Sequence, residues 1–210
     1  MDNCEFCAEL RNESSARFWE MYPNLSSRVV EATENFVAMP SIGQLFPGSL
    51  LVLPRLHIET SAFLSLQCRQ ELDSFLGTLS SKLRRIGAPV FFEHGATSCS
   101  GGGCGIYHAH VHIVPLPRCI EPKALFPEFI AQTTSFGESL DCLLNSEEYL
   151  LLGNEFETVH ASINDMEQRP PSQFFRQRLV KYFNLRRPWD WRKYQSQEKE
   201  VLETIKFFNN

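Results

Sequence analysis

The residues best equipped for chemistry lie in one short run, Tyr107-His108-Ala109-His110-Val111-His112-Ile113-Val114-Pro115. Alternate side chains of an extended strand share a face, so His108, His110 and His112 point one way while Ala109, Val111 and Ile113 point into the core. The imidazoles are then ~6.7 Å apart along the strand. Half of the six histidines fall within these five residues, which a merely polar strand face does not require. Imidazole titrates near neutrality, so such a row suits a nucleophile, a proton carrier or a metal ligand.

A second constellation is Cys4-Glu5-Phe6-Cys7. A CxxC can be a redox couple, a chance spacing, or half of a Cys2His2 zinc site completed by two distant histidines. His57 and one histidine of the triad are the candidates for the other half. Four protein ligands leave no open position, so such a zinc is expected to be structural, tying the N-terminal segment to the sheet without activating water. The third feature is Gly101-Gly102-Gly103-Cys104-Gly105, just ahead of the histidines. Glycine permits close approach, so the backbone N–H groups of this turn could face charge on a phosphoryl oxygen; a flexible loop with no role is the alternative.

The elements that must hold these groups read as strands around one long helix. Strands are expected over Asn35–Ala38 and Ser49–Leu53, with a Pro47-Gly48 turn between them, and again over Val90–Glu93 and Ile106–Pro115. Apolar residues at helical spacing predict a long helix from Thr60 to Arg85, ended by Gly87-Ala88-Pro89. After Pro117 the pattern shifts. A short helix near Ala124–Gln132, a hairpin pairing Glu148–Leu152 with Glu157–Ile163, a helix over Phe174–Phe183 with Ser172 as its N-cap, and a last helix over Ser196–Phe208 are expected. The expected fold class is therefore α+β, with a catalytic domain over 1–120 and a mainly helical extension over 121–210 packed on it.

Composition bounds the rest. Of the 210 residues, 43% are hydrophobic and 21% charged, which excludes wholesale disorder and a disulfide-only miniature. A net charge of −5 gives no global pull toward nucleic acid or an anionic membrane. No apolar run approaches the ~18 residues of a membrane span, and Met1-Asp2-Asn3-Cys4-Glu5 has neither the basic flank nor the apolar stretch of a signal peptide, so a cytoplasmic location is expected. The seven cysteines suit a reducing compartment. Between Arg176 and Lys193 seven basic residues face one acidic residue, Asp190. A solvated helix face is the plain reading of that segment, a phosphate-binding wall the sharper one, and RNA binding a minor one. Trp189 and Trp191 are read as core, with a base-stacking platform as the alternative.

His108-Ala109-His110-Val111-His112-Ile113-Val114, together with Pro47-Gly48-Ser49-Leu50-Leu51-Val52-Leu53-Pro54-Arg55-Leu56-His57, resembles the histidine-triad (HIT) superfamily of nucleotide hydrolases and transferases, across residues 4–117. The nearest likeness is to its zinc-containing branch with a C-terminal extension, the diadenosine polyphosphate hydrolase-like proteins. The resemblance implies a HIT-like antiparallel sheet with a long helix. It also implies a structural zinc on Cys4, Cys7, His57 and His108, His110 as nucleophile at the α-phosphorus, and His112 hydrogen-bonding phosphate oxygens. Gly103, Cys104 and Gly105 then lie where the family contacts phosphate, and Ser41 where an acidic residue usually holds the ribose. Glu93 or His94 could replace the usual ribose contacts. Pro171 to Arg176 and Trp189 to Arg192 are similar to C-terminal segments of larger HIT-like proteins, which brings Gln173 and Arg176 toward substrate. The implied activity is that of a nucleotide hydrolase or nucleotidyltransferase, with dinucleoside polyphosphates as the first substrate class and homodimerisation as a family habit. A specialised nucleotidyltransferase, a nucleoside-phosphoramidate hydrolase and a noncatalytic nucleotide-sensing protein are the alternatives.

Overall fold

The computed structural model of the chain describes residues 4–97 and 106–210. Its strands are β1 (Glu31–Ala32), β2 (Phe36–Pro40), β3 (Leu50–Pro54), β4 (Ala88–Ala96), β5 (Val111–Leu116), β6 (Ala131–Thr133), β7 (Glu148–Gly153) and β8 (Thr158–Ser162). They form one antiparallel sheet in the order β1-β2-β3-β5-β4-β7-β8-β6. The helices are α1 (Glu5–Leu10), α2 (Arg17–Met21), α3 (Leu66–Leu83), α4 (Pro122–Leu125), α5 (Phe136–Cys142), α6 (Phe174–Tyr182) and α7 (Glu198–Asn209). The fold class is α+β. No helix among the described residues is long and apolar enough to cross a membrane.

Both faces of the sheet are covered, which is why β2, β3 and β7 are buried at every position. On one face Leu50, Val52, Phe91, Val111, Ile113 and Leu151 pack against Leu72, Phe75, Leu76 and Leu79 of α3 and Phe136 and Leu140 of α5. On the other, Phe92, Val114, Leu150 and Leu152 meet Phe174, Phe175 and Leu179 of α6, while Val37, Met39, Leu51 and Leu53 receive Phe6 of α1. The expected hairpin after residue 147 is present as β7 and β8, and β7 pairs with β4 from Phe91↔Gly153 to Ala96↔Glu148. Residues on either side of position 120 thus share one sheet.

Several boundaries differ from the sequence reading. The long helix begins at Leu66, because Ser65 accepts a hydrogen bond from the Cys68 N–H and caps it, while Ser61–Phe63 form a separate 3-10 turn. The expected helix near Ala124–Gln132 is cut to Pro122–Leu125, and the chain then extends into β6, paired with β8. The strand expected over Ile106–Pro115 begins only at Val111, since the Ala109 N–H bonds the Ile58 carbonyl instead of a ladder partner. Ser172 does not cap α6; Gln173 precedes that helix in a left-handed conformation (φ 58°). Trp189 and Trp191 are only half-buried and belong to neither of the two large cores.

Candidate active site and metal centre

The strand register explains why the histidines gather. Leu51 of β3 and Phe92 of β4 both lie opposite His112, so these three side chains share one face of the sheet while Val111 and Ile113 enter the other core. His112 stacks on Phe92, ring centroids 4.7 Å apart and 13° from parallel, and lies 5.4 Å from the ring of His110. Burial, and after it the neighbouring His110 and Arg176, hold His112 well below its ordinary pKa, so its imidazole is neutral.

His108 and His110 flank the ring of Phe6, which meets them edge-on at 5.8 and 5.4 Å. His108 Nδ1 lies 3.4 Å from Cys4 Sγ and 3.5 Å from Cys7 Sγ, and Cys7 Sγ lies 3.5 Å from His57 Nδ1. All four ligand atoms fall within 4.8 Å of one another. Zinc bonds of ~2.3 Å to sulfur and ~2.0 Å to nitrogen at a tetrahedral angle imply an S···N edge of about 3.5 Å, so the donor set fits that ion. His108 Nε2–H donates to the Pro54 carbonyl at 2.8 Å, which fixes the tautomer and turns Nδ1 toward the sulfurs. Burial drops the His108 pKa to about 4 and, with Cys4 beside it, raises the Cys7 thiol to about 11.

His110 Nδ1 lies 2.7 Å from the His108 carbonyl. A carbonyl only accepts, so Nδ1 carries the proton and the lone pair is on Nε2. His110 and His112 open on a cavity that Ser41, His94, Gln173 and Arg176 also line. Arg176 is 5% exposed and gives Nε–H to the Trp189 carbonyl at 2.7 Å, while its Nη2 has no partner among the described residues. Burial lowers its pKa to about 10, and it remains a cation. Gln173 lines the cavity, but its amide is occupied, donating to Asp190 Oδ1 at 3.0 Å and accepting from the Trp191 N–H at 3.2 Å.

Glu93 and His94 point to opposite faces of β4. The Glu93 carboxylate accepts from the Ser61 N–H (3.1 Å), the Ser61 hydroxyl (3.0 Å) and the Tyr149 hydroxyl (2.8 Å), and so braces the Ser61 turn against β7. Complete burial raises its pKa despite those bonds. It also borders a small second cavity shared with His94 and His110. Gly103, Cys104 and Gly105 lie outside the described residues.

Sequence reasoning missed two contributors. Phe6 packs edge-on against the rings of both His108 and His110, a role its place inside CxxC could have signalled. Arg28, 1% exposed and paired with Glu9 at 2.6 Å, lines the cavity without any local motif. Trp191, weighed above as a stacking platform, lines it too. Of the seven basic residues from Arg176 to Lys193, three are ion-paired, Arg178 with Glu128, Arg187 with Glu200 and Arg192 with Asp190, while Arg176 is buried in the cavity wall.

No family model matches the chain, and no curated protein does. Similar solved structures include HIT-family proteins. A HIT-like protein involved in cell-cycle regulation from Bartonella henselae shares 17% identity over 58% of this chain and 81% of its own, with a TM-score of 0.44. A Zn-bound histidine triad family protein from Mycobacterium smegmatis shares 16% over 54% of this chain and 75% of its own, TM-score 0.41. A HIT family hydrolase from Clostridium thermocellum shares 18% over 55% of this chain and 91% of its own, TM-score 0.40.

Proposed function

We propose that this chain is a histidine-triad nucleotide hydrolase or nucleotidyltransferase that works at the α-phosphorus through a covalent nucleotidyl-His110. The observation that carries the reading is the His110 tautomer: with Nδ1–H given to the His108 carbonyl, the lone pair is on Nε2, in a cavity that also presents His112 and the Arg176 guanidinium. Nε2 attacks phosphorus, and the bond to the leaving group breaks with its electron pair on that group. Water or another acceptor then attacks the same phosphorus, and the P–N pair returns to His110. Arg176 faces the phosphate charge with a buried donor, and neutral His112 can donate a hydrogen bond to a non-bridging oxygen. A zinc held by Cys4, Cys7, His57 and His108 would be structural, fixing α1 and with it Phe6 against the site. Ser41 is left to meet the sugar, and Gln173 positions the Trp191 segment.

Dinucleoside polyphosphates are the first substrate class, on the resemblance of the triad segment and because a buried cation, Arg176, lines the same cavity as the triad. A chromatographic product assay tests this, with wild type and His110→Ala on diadenosine polyphosphates, nucleotide sugars and adenosine phosphoramidate, each with and without orthophosphate. Turnover that vanishes in His110→Ala supports the covalent route, and phosphate dependence distinguishes a phosphorylase from a hydrolase. Nucleotide binding with no turnover of any substrate identifies a sensing protein instead.

A further inference from the structure

We propose that His94 is the proton carrier of this site, acid to the leaving group in the first half-reaction and base to the attacking water in the second, with Glu148 and Arg169 as its positioning residues. The inference rests on the nucleotidyl-His110 reading and adds a catalytic group to it.

Phe92 of β4 lies opposite His112, and His94, two residues further along the same strand, shares the Phe92 face and so the side on which His110 and His112 line the cavity. His94 and His110 line the main cavity and the small one beside it. The His94 side chain is 6% exposed and its Nε2 lies 2.7 Å from Glu148 Oε1. The other Glu148 oxygen accepts from Arg169, at 2.6 Å from Nη2 and 3.1 Å from Nε. Burial alone would raise the Glu148 pKa, but the bonds from His94 and Arg169 outweigh it and hold the carboxylate ionised. An ionised carboxylate only accepts, so Nε2 of His94 bears a proton in either charge state, and the nitrogen that exchanges protons is Nδ1. Nδ1 is buried and has no hydrogen-bond partner among the described residues. A buried polar atom in a cavity wall normally has one, and bound substrate supplies it here.

The proton balance closes over one cycle. As His110 Nε2 bonds to phosphorus and the leaving group departs with its electron pair, the imidazolium of His94 gives the Nδ1 proton to that group. Neutral His94 then takes a proton from water as the water oxygen bonds to phosphorus, and the P–N pair returns to His110. Glu148 compensates the imidazolium present at the start and end of the cycle, which is the arrangement of a base oriented by a third group.

Two adenylates that differ only in the leaving group test this: adenosine phosphoramidate, whose amine departs only with a proton, and the p-nitrophenyl ester of AMP, whose phenolate does not need one. The prediction for His94→Gln is a loss of at least ~100-fold in kcat on the phosphoramidate, with a near wild-type burst of nitrophenolate and an adenylyl-His110 adduct that accumulates in intact-mass spectra. Glu148→Gln, which keeps the acceptor's shape, should show the same selectivity with a loss of about 10-fold. Equal losses on both substrates without an adduct would mark His94 as merely structural and overturn the proposal, as would wild-type rates in His94→Gln while His110→Ala is inactive; in both cases the covalent reading survives. Turnover that persists in His110→Ala overturns the covalent reading and this inference together.

Discussion

His110 donates Nδ1–H to the backbone carbonyl of His108, 2.7 Å away, while the His108 ring faces Cys4 and Cys7 at 3.4 and 3.5 Å. One peptide carbonyl therefore links the proposed nucleophile to the cysteine and histidine cluster. Purified protein is expected to carry about one zinc per chain by elemental analysis, and Cys4→Ser to lose it. Loss of a structural ion should lower Tm by on the order of 10 °C and reduce turnover with it, since His110 takes its orientation from the His108 backbone. A chain that retains activity and Tm without metal would disprove that linkage.

Phe6 is 4% exposed and touches both His108 and His110. Phe6→Ala leaves a cavity between the cluster and the nucleophile. A destabilisation of about 3 kcal/mol is expected from denaturant unfolding. Water reaching His110 should also raise the hydrolysis-to-transfer ratio when an alcohol acceptor competes with water, which product ratios would read directly.

Arg176 is a buried cation whose Nη2 lacks a partner among the described residues. Arg176→Met should weaken AMP binding by about 10- to 100-fold, the loss of one charge-assisted hydrogen bond or more. Stability should fall only modestly, because the Trp189 carbonyl loses its donor but a guanidinium no longer has to be desolvated. Calorimetric titration and thermal unfolding on the same samples separate the two effects; unchanged affinity with a lowered Tm would make Arg176 a framework residue.

The triad strand was legible because period-2 alternation is a local property, and Val111 and Ile113 do enter the core opposite His112. The hairpin of β7 and β8 was legible for the same reason, with Gly153-Asn154 marking the turn. Cys4, Cys7, His57 and one triad histidine were candidates by residue type, the resemblance singled out His108, and the S···N spacings now give the set geometric support. Illegible features all depend on tertiary partners. The chain leaves the strand before Val111 because Ala109 is drawn to Ile58, and Glu148 meets His94 only once β7 has paired with β4. Trp191 resembled a core residue in sequence, yet the left-handed turn at Gln173 and the Asp190 contact set it on the cavity rim.

Glu71 of α3 ties down the turn between β1 and β2: it accepts from the Asn35 N–H at 2.9 Å, the Asn35 amide at 2.6 Å and the Thr33 hydroxyl. Burial opposes ionisation, but these bonds prevail and lower its pKa. A carboxylate with a folded pKa below its unfolded value stabilises above the unfolded value of ~4.3, and that contribution is lost as pH falls through the folded value. Glu71→Gln should therefore cost about 1 kcal/mol at pH 7 and progressively less below pH 4. Paired urea titrations at pH 7 and pH 3.5 check the sign; a cost that grows on acidification would refute it.

Gly43 decides how closely the C-terminal segment approaches the cavity. A Cβ there would lie 2.6 Å from Trp191 Cβ, 3.0 Å from Trp191 Cα and 3.1 Å from Arg176 Nη2. The segment cannot simply step aside, because Gln173 holds Asp190 and Trp191, and Arg176 holds the Trp189 carbonyl. Gly43→Ala must therefore break those contacts or strain them, and a loss of about 2 kcal/mol is expected. If the contacts break, Trp191 moves outward and its fluorescence becomes more accessible to acrylamide. The Arg176 guanidinium, released from Trp189, would then bind AMP more weakly, in parallel with Arg176→Met. Unchanged stability and quenching in Gly43→Ala would mean that residues 189–191 do not rest on Gly43 in solution.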